Sequence, residues 1–235
     1  MMQQDRTLSL DEVARFDALA RDWWAPDGPM APLHRMNPLR AGWITRRLPK
    51  PQAGEILDVG CGAGLLAEAL AKTGVSVLGL DAAEAAIAAA RAHAEGQALP
   101  LRYRAGRIED VIAEGARFPV VTALEVIEHV PDPQAFLEAL RDALEPGGLL
   151  FLSTLNRSLR SLLTAKIGAE YLLRLLPAGT HNWRQFIPPG QLARMAAAAG
   201  LQVTESAGMS FDPWRGRWQE SRDLSINYIM ALRKL

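Results

Sequence analysis

The chain of 235 residues has one cysteine, Cys61, three tyrosines and no excess charge of either sign. A lone thiol closes no intramolecular disulfide and fits a reducing cytoplasm. Lysine plus arginine equals aspartate plus glutamate at 26 each. The sequence therefore lacks the broad basic field that nucleic-acid phosphates require. No run approaches the roughly 20 apolar residues of a membrane span, and the start, MMQQDRTLSLDEVARF, has no secretory apolar core. These absences predict a soluble cytoplasmic protein with no nucleic-acid partner. The hydrophobic content of 49% is enough to bury one sizeable core.

From Asp11 the text DEVARFDALARDWW repeats apolar residues at helical spacing, with Phe16, Leu19 and Trp23 on one face. APDGPMAPLHRMNPLRAG, with four prolines and two glycines, reads as irregular, followed by a short helix from Trp43 to Leu48. Beyond Glu55 short β-rich runs alternate with longer helical ones. EILDVG, VSVLGLD, LRYRAG, FPVVTALE and LLFLST read as strands. Between them lie helices in GLLAEALAKTG, AEAAIAAARAHAEG and PDPQAFLEALRDALEPGG. In the last of these Asp132 can cap, Pro133 suits the first helical position and Gly147 is the expected stop. A helix, PPGQLARMAAAAG, and two strands, LQVTESAGM and SINYIMALRK, complete the chain. Strands alternating with crossover helices predict an α/β fold with a mostly parallel sheet covered on both faces.

LDVGCGAG places glycines 60, 62 and 64 at a strand-to-helix turn. A dinucleotide loop reads G-x-G-x-x-G, but here Leu65 takes the sixth place and the third glycine falls one residue early. Asp58, just before the loop, disfavours a pyrophosphate and suits a cationic amine. Leu65 and Asp58 together argue against a dehydrogenase. Asp81 ends the second strand, 21 residues after Gly60, where a carboxylate accepts from ribose hydroxyls. A ligand with a ribose, a cationic amine and no phosphate is S-adenosylmethionine. Over residues 40–235 the pattern resembles the class I methyltransferases, which implies a Rossmann-like sheet of seven strands with the last antiparallel. Cys61 reads as a small residue fitting the turn rather than as a nucleophile.

RFDALARDWWAPDGPMAPLHRMNPLR, LEVIEHVPDP, STLNR and GAEYLLRLLPAGTH together resemble the ubiquinone biosynthesis O-methyltransferase family, with matches spread from Phe16 to His181. The resemblance implies methylation of a phenolic hydroxyl at two stages, on a 2-polyprenyl-6-hydroxyphenol and on a 3-demethylubiquinol. It implies cofactor contacts at Arg40, Gly60, Asp81 and Leu124, a place where methionine also occurs in the family. With the loop residues Asp58, Gly62 and Gly64, these form the candidate cofactor site. Arg40 has its own case, because a guanidinium can grip the cofactor's methionine carboxylate bidentately. One methyltransferase domain is expected over 1–235. It comprises an N-terminal helical extension (1–50), a cofactor-binding half (51–154), an amphipathic helical insert after the fifth strand (155–187) and the last helix and strands (188–235). Other enzymes of ubiquinone biosynthesis are expected partners. The competing readings are another small-molecule methyltransferase of this fold, or a non-catalytic S-adenosylmethionine-binding protein.

Methyl transfer is an in-line displacement that needs positioning and a nucleophile close to phenolate. A phenol has a pKa of about 10, so a base or a positive charge must act. TALEVIEHVPDPQ offers both at the end of the fourth strand. His129 can be the general base, with Glu125 beside it, or Glu125, Glu128 and His129 can hold Mg²⁺ against both vicinal oxygens. Some members of the resembled family are associated with a divalent metal at this triplet. A purely structural strand end is the third reading. Trp24 is a candidate pocket wall, His34 and His181 are candidate site residues, and His93 reads as solvated. The segment 157–184 carries an apolar stripe and about +4 of charge, which suits an anionic bilayer surface. The expectation is a peripheral contact at the inner face of the cell membrane, where a polyprenylated phenol or quinol dissolves. A helical lid packed on the domain is the competing reading.

Overall fold

The computed structural model describes residues 6–25, 27–28, 30–50, 54–158, 186–212 and 214–235. The strands are β1 Ile56–Val59, β2 Val77–Asp81, β3 Leu101–Ala105, β4 Phe118–Leu124, β5 Leu144–Leu155, β6 Leu201–Asp212, β7 Arg217–Ser221 and β8 Asn227–Lys234. The helices are α1 Leu10–Leu19, α2 Ala31–Thr45, α3 Leu65–Ala71, α4 Glu84–Ala94, α5 Ile108–Ala113, α6 Pro133–Asp142 and α7 Pro189–Ala198. The strands form one sheet in the order β3-β2-β1-β4-β5-β8-β6-β7. The first five are parallel, and β8 runs antiparallel between β5 and β6. This is the expected class I methyltransferase architecture with one more strand.

Period-two alternation splits the side chains between two faces. Leu57, Val59, Leu78 and Leu80 pack with Phe136, Leu140 and Leu192 on one side. Ile56 and Val77 meet Trp43 and Ile44 of α2 and Leu66 and Leu70 of α3 on the other. The strand order reverses between β1 and β4, and such a switch point opens a crevice beyond the carboxyl ends of the strands. The loops that leave β1 and β4 face each other there.

Three element expectations are corrected. The extra strand, β7, pairs antiparallel with β6 as a hairpin. RWQES is short and mostly polar, as an edge strand can be, and its turn is made by Asp212 Oδ1 accepting from the N–H groups of Trp214 and Arg215. The proline-rich stretch before Trp43 is not irregular throughout, because the 15-residue α2 begins within it at Ala31. Pro32 lies in the first turn, where a missing N–H costs nothing, and Pro38 sits on the exposed side. Met36, Arg40, Trp43 and Ile44 recur at helical spacing and are buried. Finally, α6 stops at Asp142 rather than at Gly147. The EPGG residues instead enter β5, where the register with β4 shifts between Phe118 and Val120. Most of the insert expected at 155–187, together with His181, lies outside the described residues.

The start of α6 is as expected. Asp132 accepts from the N–H groups of Gln134 and Ala135, and Arg6 reaches it from the N-terminal segment at 2.6 Å. Asp132→Ala should therefore lower stability by about 1 kcal/mol, read from the urea midpoint. The Ala135 N–H, then Arg6, hold this carboxyl below its ordinary range. A depressed pKa stabilises above the unfolded value, and that contribution is lost as pH falls through the folded value. The gap between wild type and variant should therefore close in acid, and a gap constant with pH would show that the charge is irrelevant.

Candidate active site

Each strand end delivers one part of the site. β1 leaves the sheet through Gly60, Gly62 and Gly64, with φ of 69°, 53° and 91°. These are left-handed conformations that a side chain disfavours. The loop is also packed too closely for one: a Cβ on Gly60 would run into Val126, and one on Gly62 into the Trp23 ring. Asp81 fastens this loop, with Oδ2 accepting from Gly62 N at 2.7 Å and Oδ1 from Ala83 N at 2.9 Å. Burial raises its pKa against the pull of those N–H donors.

Asp58 lies opposite Thr122 in the β1–β4 register, and the Thr122 hydroxyl donates to Asp58 Oδ1 at 2.6 Å. Burial is the main reason its pKa rises to about 7, with Asp81 adding to it. An acid poised there gains from a cation placed beside it. Cys61 is buried, and burial pushes its thiol well above the ordinary range. That leaves the thiol inert, in keeping with a packing role.

β4 ends at Leu124, and the next residue, Glu125, has φ of 58°. A non-glycine residue there stores about 1–3 kcal/mol of strain. The turn is held on several sides. Glu125 N donates to Ser153 O at 3.0 Å, Ser153 Oγ donates to Glu125 Oε1 at 2.7 Å, and Arg40 Nη2 reaches the same oxygen at 2.5 Å. Arg40 is buried, and its Nε has no hydrogen-bond partner among the described residues. The guanidinium therefore keeps a donor for a second carboxylate.

A short 3-10 turn, Ile127–His129, then separates the three candidate metal ligands. Glu128 turns inward and is 3% exposed. Burial, and next the neighbouring Glu125 charge, raise its pKa to about 8. His129 turns toward the N-terminal helix, with Nδ1 3.1 Å from Glu12 Oε2. Among the described residues no group of three or more His, Cys, Asp and Glu is placed to hold a metal ion. The expected Glu125–Glu128–His129 triplet is thus not assembled. Glu125 meets Arg40, His129 faces Glu12, and the buried oxygens of Glu128 have no hydrogen-bond partner among the described residues, so the three do not converge on a shared Mg²⁺.

A cavity of about 490 Å³ opens at this point. Arg40, Asp58, Gly60, Gly62, Asp81, Leu124, Glu125 and His129 all line it, whereas Gly64 and Glu128 do not. Much of the remaining wall is apolar, including Trp23, Met30, Leu33 and Phe136. Trp24 is not in the wall. It donates to Ala63 O at 3.0 Å and stacks on His93, bracing the glycine loop from behind. His34 is also structural, 2.7 Å from Trp23 O, and His93 is held by buried Glu68 rather than solvated. Sequence reading missed Glu12, whose only signal was a carboxylate four residues before Phe16 on an apolar helix face.

The description "Methyltransferase domain" matches residues 33–206. A relative named "Ubiquinone biosynthesis O-methyltransferase" from Dinoroseobacter shibae is 45% identical, covering 98% of each chain. One of the same name from Cereibacter sphaeroides is 46% identical with the same coverage. Among solved structures, magnesium protoporphyrin IX methyltransferase from Synechocystis PCC 6803, with bound SAH, superposes with a TM-score of 0.68. It covers 96% of this chain and 100% of that one at 19% identity. That likeness concerns the fold alone.

Asp58 generates a pH prediction for cofactor binding. Its ionised form attracts a cation, and below about 7 the empty site holds the proton instead. Affinity for S-adenosylmethionine, measured by calorimetry, should be flat above that pH and fall by up to about tenfold per unit below it. Asp58→Asn should bind more weakly and remove the slope. Gly62→Ala should weaken binding at every pH by displacing Trp23.

Proposed function

The chain belongs to the ubiquinone biosynthesis O-methyltransferase family, and we propose that it transfers methyl from S-adenosylmethionine to a phenolic hydroxyl in that pathway. The near full-length identity to relatives of that name carries this reading. The acceptors are a 2-polyprenyl-6-hydroxyphenol and a 3-demethylubiquinol. In the cofactor's place, Asp81 accepts from the ribose, Asp58 faces the amino group and Leu124 packs on the adenosine. Arg40 uses its remaining donors on the methionine carboxylate, alongside Glu125.

The apolar wall excludes water and fits a prenylated ring. His129 removes the phenol proton, and the sulfonium methyl is presented in line. No step runs through a metal, because the two glutamates and His129 do not converge. The segment 157–184 brings the protein to the anionic inner face of the membrane, where the substrate resides. The contact proposed is peripheral, and no helix among the described residues is long and apolar enough to cross a membrane.

Incubation with labelled S-adenosylmethionine and a short-chain demethylubiquinol should give the methyl ether. No product, with or without EDTA, would overturn the reading, and activity lost in EDTA and restored by Mg²⁺ would overturn the histidine route. Flotation with anionic liposomes should recover the protein, and glutamate at Arg160, Lys166 and Arg174 should release it. Equal recovery of that triple variant would remove the segment from the contact.

A further inference from the structure

We propose that Glu12 is the positioning residue for His129, fixing the tautomer and orientation in which the imidazole takes the acceptor's proton. The inference rests on the reading of His129 as base and extends the site into the N-terminal extension. Glu12, Val13 and Phe16 of α1 line the cavity together with His129. The Glu12 and His129 side chains are 17% and 12% exposed, so solvent screens their 3.1 Å contact little. Phe16, one helical turn after Glu12, meets the imidazole edge-on, with ring centres 5.6 Å apart. Arg15 Nη1 donates to both Glu12 oxygens, at 3.0 and 3.2 Å. Arg15 therefore holds the Glu12 carboxylate in place.

The 3.1 Å separation is an ion-pair contact without hydrogen-bond geometry at Nδ1. The charge of the carboxylate beside Nδ1 favours the tautomer protonated there, which makes Nε2 the basic nitrogen and stabilises the imidazolium that forms. In the step, the phenol O–H bond breaks and its proton goes to Nε2. The oxygen pair forms the O–CH₃ bond while the C–S bond breaks, with its electron pair going to sulfur. The products are the methyl ether and S-adenosylhomocysteine, and the imidazolium later gives its proton to water. The N-terminal helix thus supplies a partner that the methyltransferase fold itself does not contain.

The test uses the full chain and steady-state kinetics with a short-chain demethylubiquinol. Glu12→Gln, close in shape and without charge, should lower kcat about 10- to 100-fold while the KM for S-adenosylmethionine stays within about twofold. Glu12→Asp should recover part of the loss. In the His129→Asn background, Glu12→Gln should cost nothing further, because the two residues act as one unit. Arg15→Met, which leaves both partners in place, is the second variant, with a smaller loss of the same sign.

Wild-type kcat in Glu12→Gln, a loss that multiplies with that of His129→Asn, or a change confined to KM overturns the proposal. An inactive wild type refutes methyl transfer itself. An active wild type with full activity in His129→Asn refutes the base. Each failure is thus distinguishable.

Discussion

The backbone between β1 and α3 is the constraint on which the site depends. It turns through three left-handed glycines and passes so close to its neighbours that each glycine has become a seat for another element. Val126, from the loop after β4, fills the space beside Gly60. Trp23, from the N-terminal extension, lies on Gly62, and Tyr103 of β3 lies on Gly64. The same glycines that let a ligand approach bare N–H groups thus also fix where the candidate base, the N-terminal helix and the sheet edge stand. Asp81 holds the loop through Gly62 N, and Trp24 holds it through Ala63 O. A substitution here would move all three neighbours together.

Around that loop the protein maintains charges and conformations that folding alone disfavours. Asp58, Asp81 and Glu128 are carboxyls whose pKa burial raises. Glu125 has a backbone conformation that suits glycine better. Asp58, Asp81 and Glu125 are tolerable because neighbours hold them, whereas neither Glu128 oxygen has a hydrogen-bond partner among the described residues. Thr122 answers Asp58 across the register, and Arg40 and Ser153 answer Glu125. A cationic cofactor relieves the first of these costs directly, since it favours the ionised form of Asp58. Arg40 is buried as well, yet one carboxylate does not satisfy it. Asp58 and Arg40 thus bring opposite charges to one cavity, as the two poles of an amino acid group would require.

What was legible in the sequence was local. The glycine spacing and the Asp132–Pro133 helix start each encode a turn or cap within a few residues, and the structure has both, while Asp58 and Asp81 line one cavity with the glycine loop. The proline-rich α2 was misread because breaker residues outweighed the Met36–Arg40–Trp43 spacing, although prolines in a first turn and on an exposed face break little. β7 escaped because an edge strand needs only one partner and no apolar run. The metal triplet failed for a different reason: adjacency in sequence says nothing of direction. A positive φ at Glu125 and a 3-10 turn send three neighbouring side chains three ways. The Glu12–His129 contact joins residues far apart along the chain and was legible only in three dimensions.

That long-range contact bears on how the extension and the domain divide the work. The side chains proposed for the cofactor come mostly from β1, β2, β4 and the loops that leave them. A polar contact to His129 at the cavity comes instead from α1, and Trp23 from the turn behind it packs against the glycine loop. Arg6 and Thr7, ahead of α1, reach Asp132 and Glu109 on the sheet side, so the extension is tied down at both ends of the cavity. A wall built this way excludes water only when the extension is seated, and its seating also sets the imidazole. In the proposed reaction, shelter from solvent and alignment of the base therefore depend on one packing event, because an unsheltered phenolate would be hydrated and an unaligned imidazole would leave the phenol protonated.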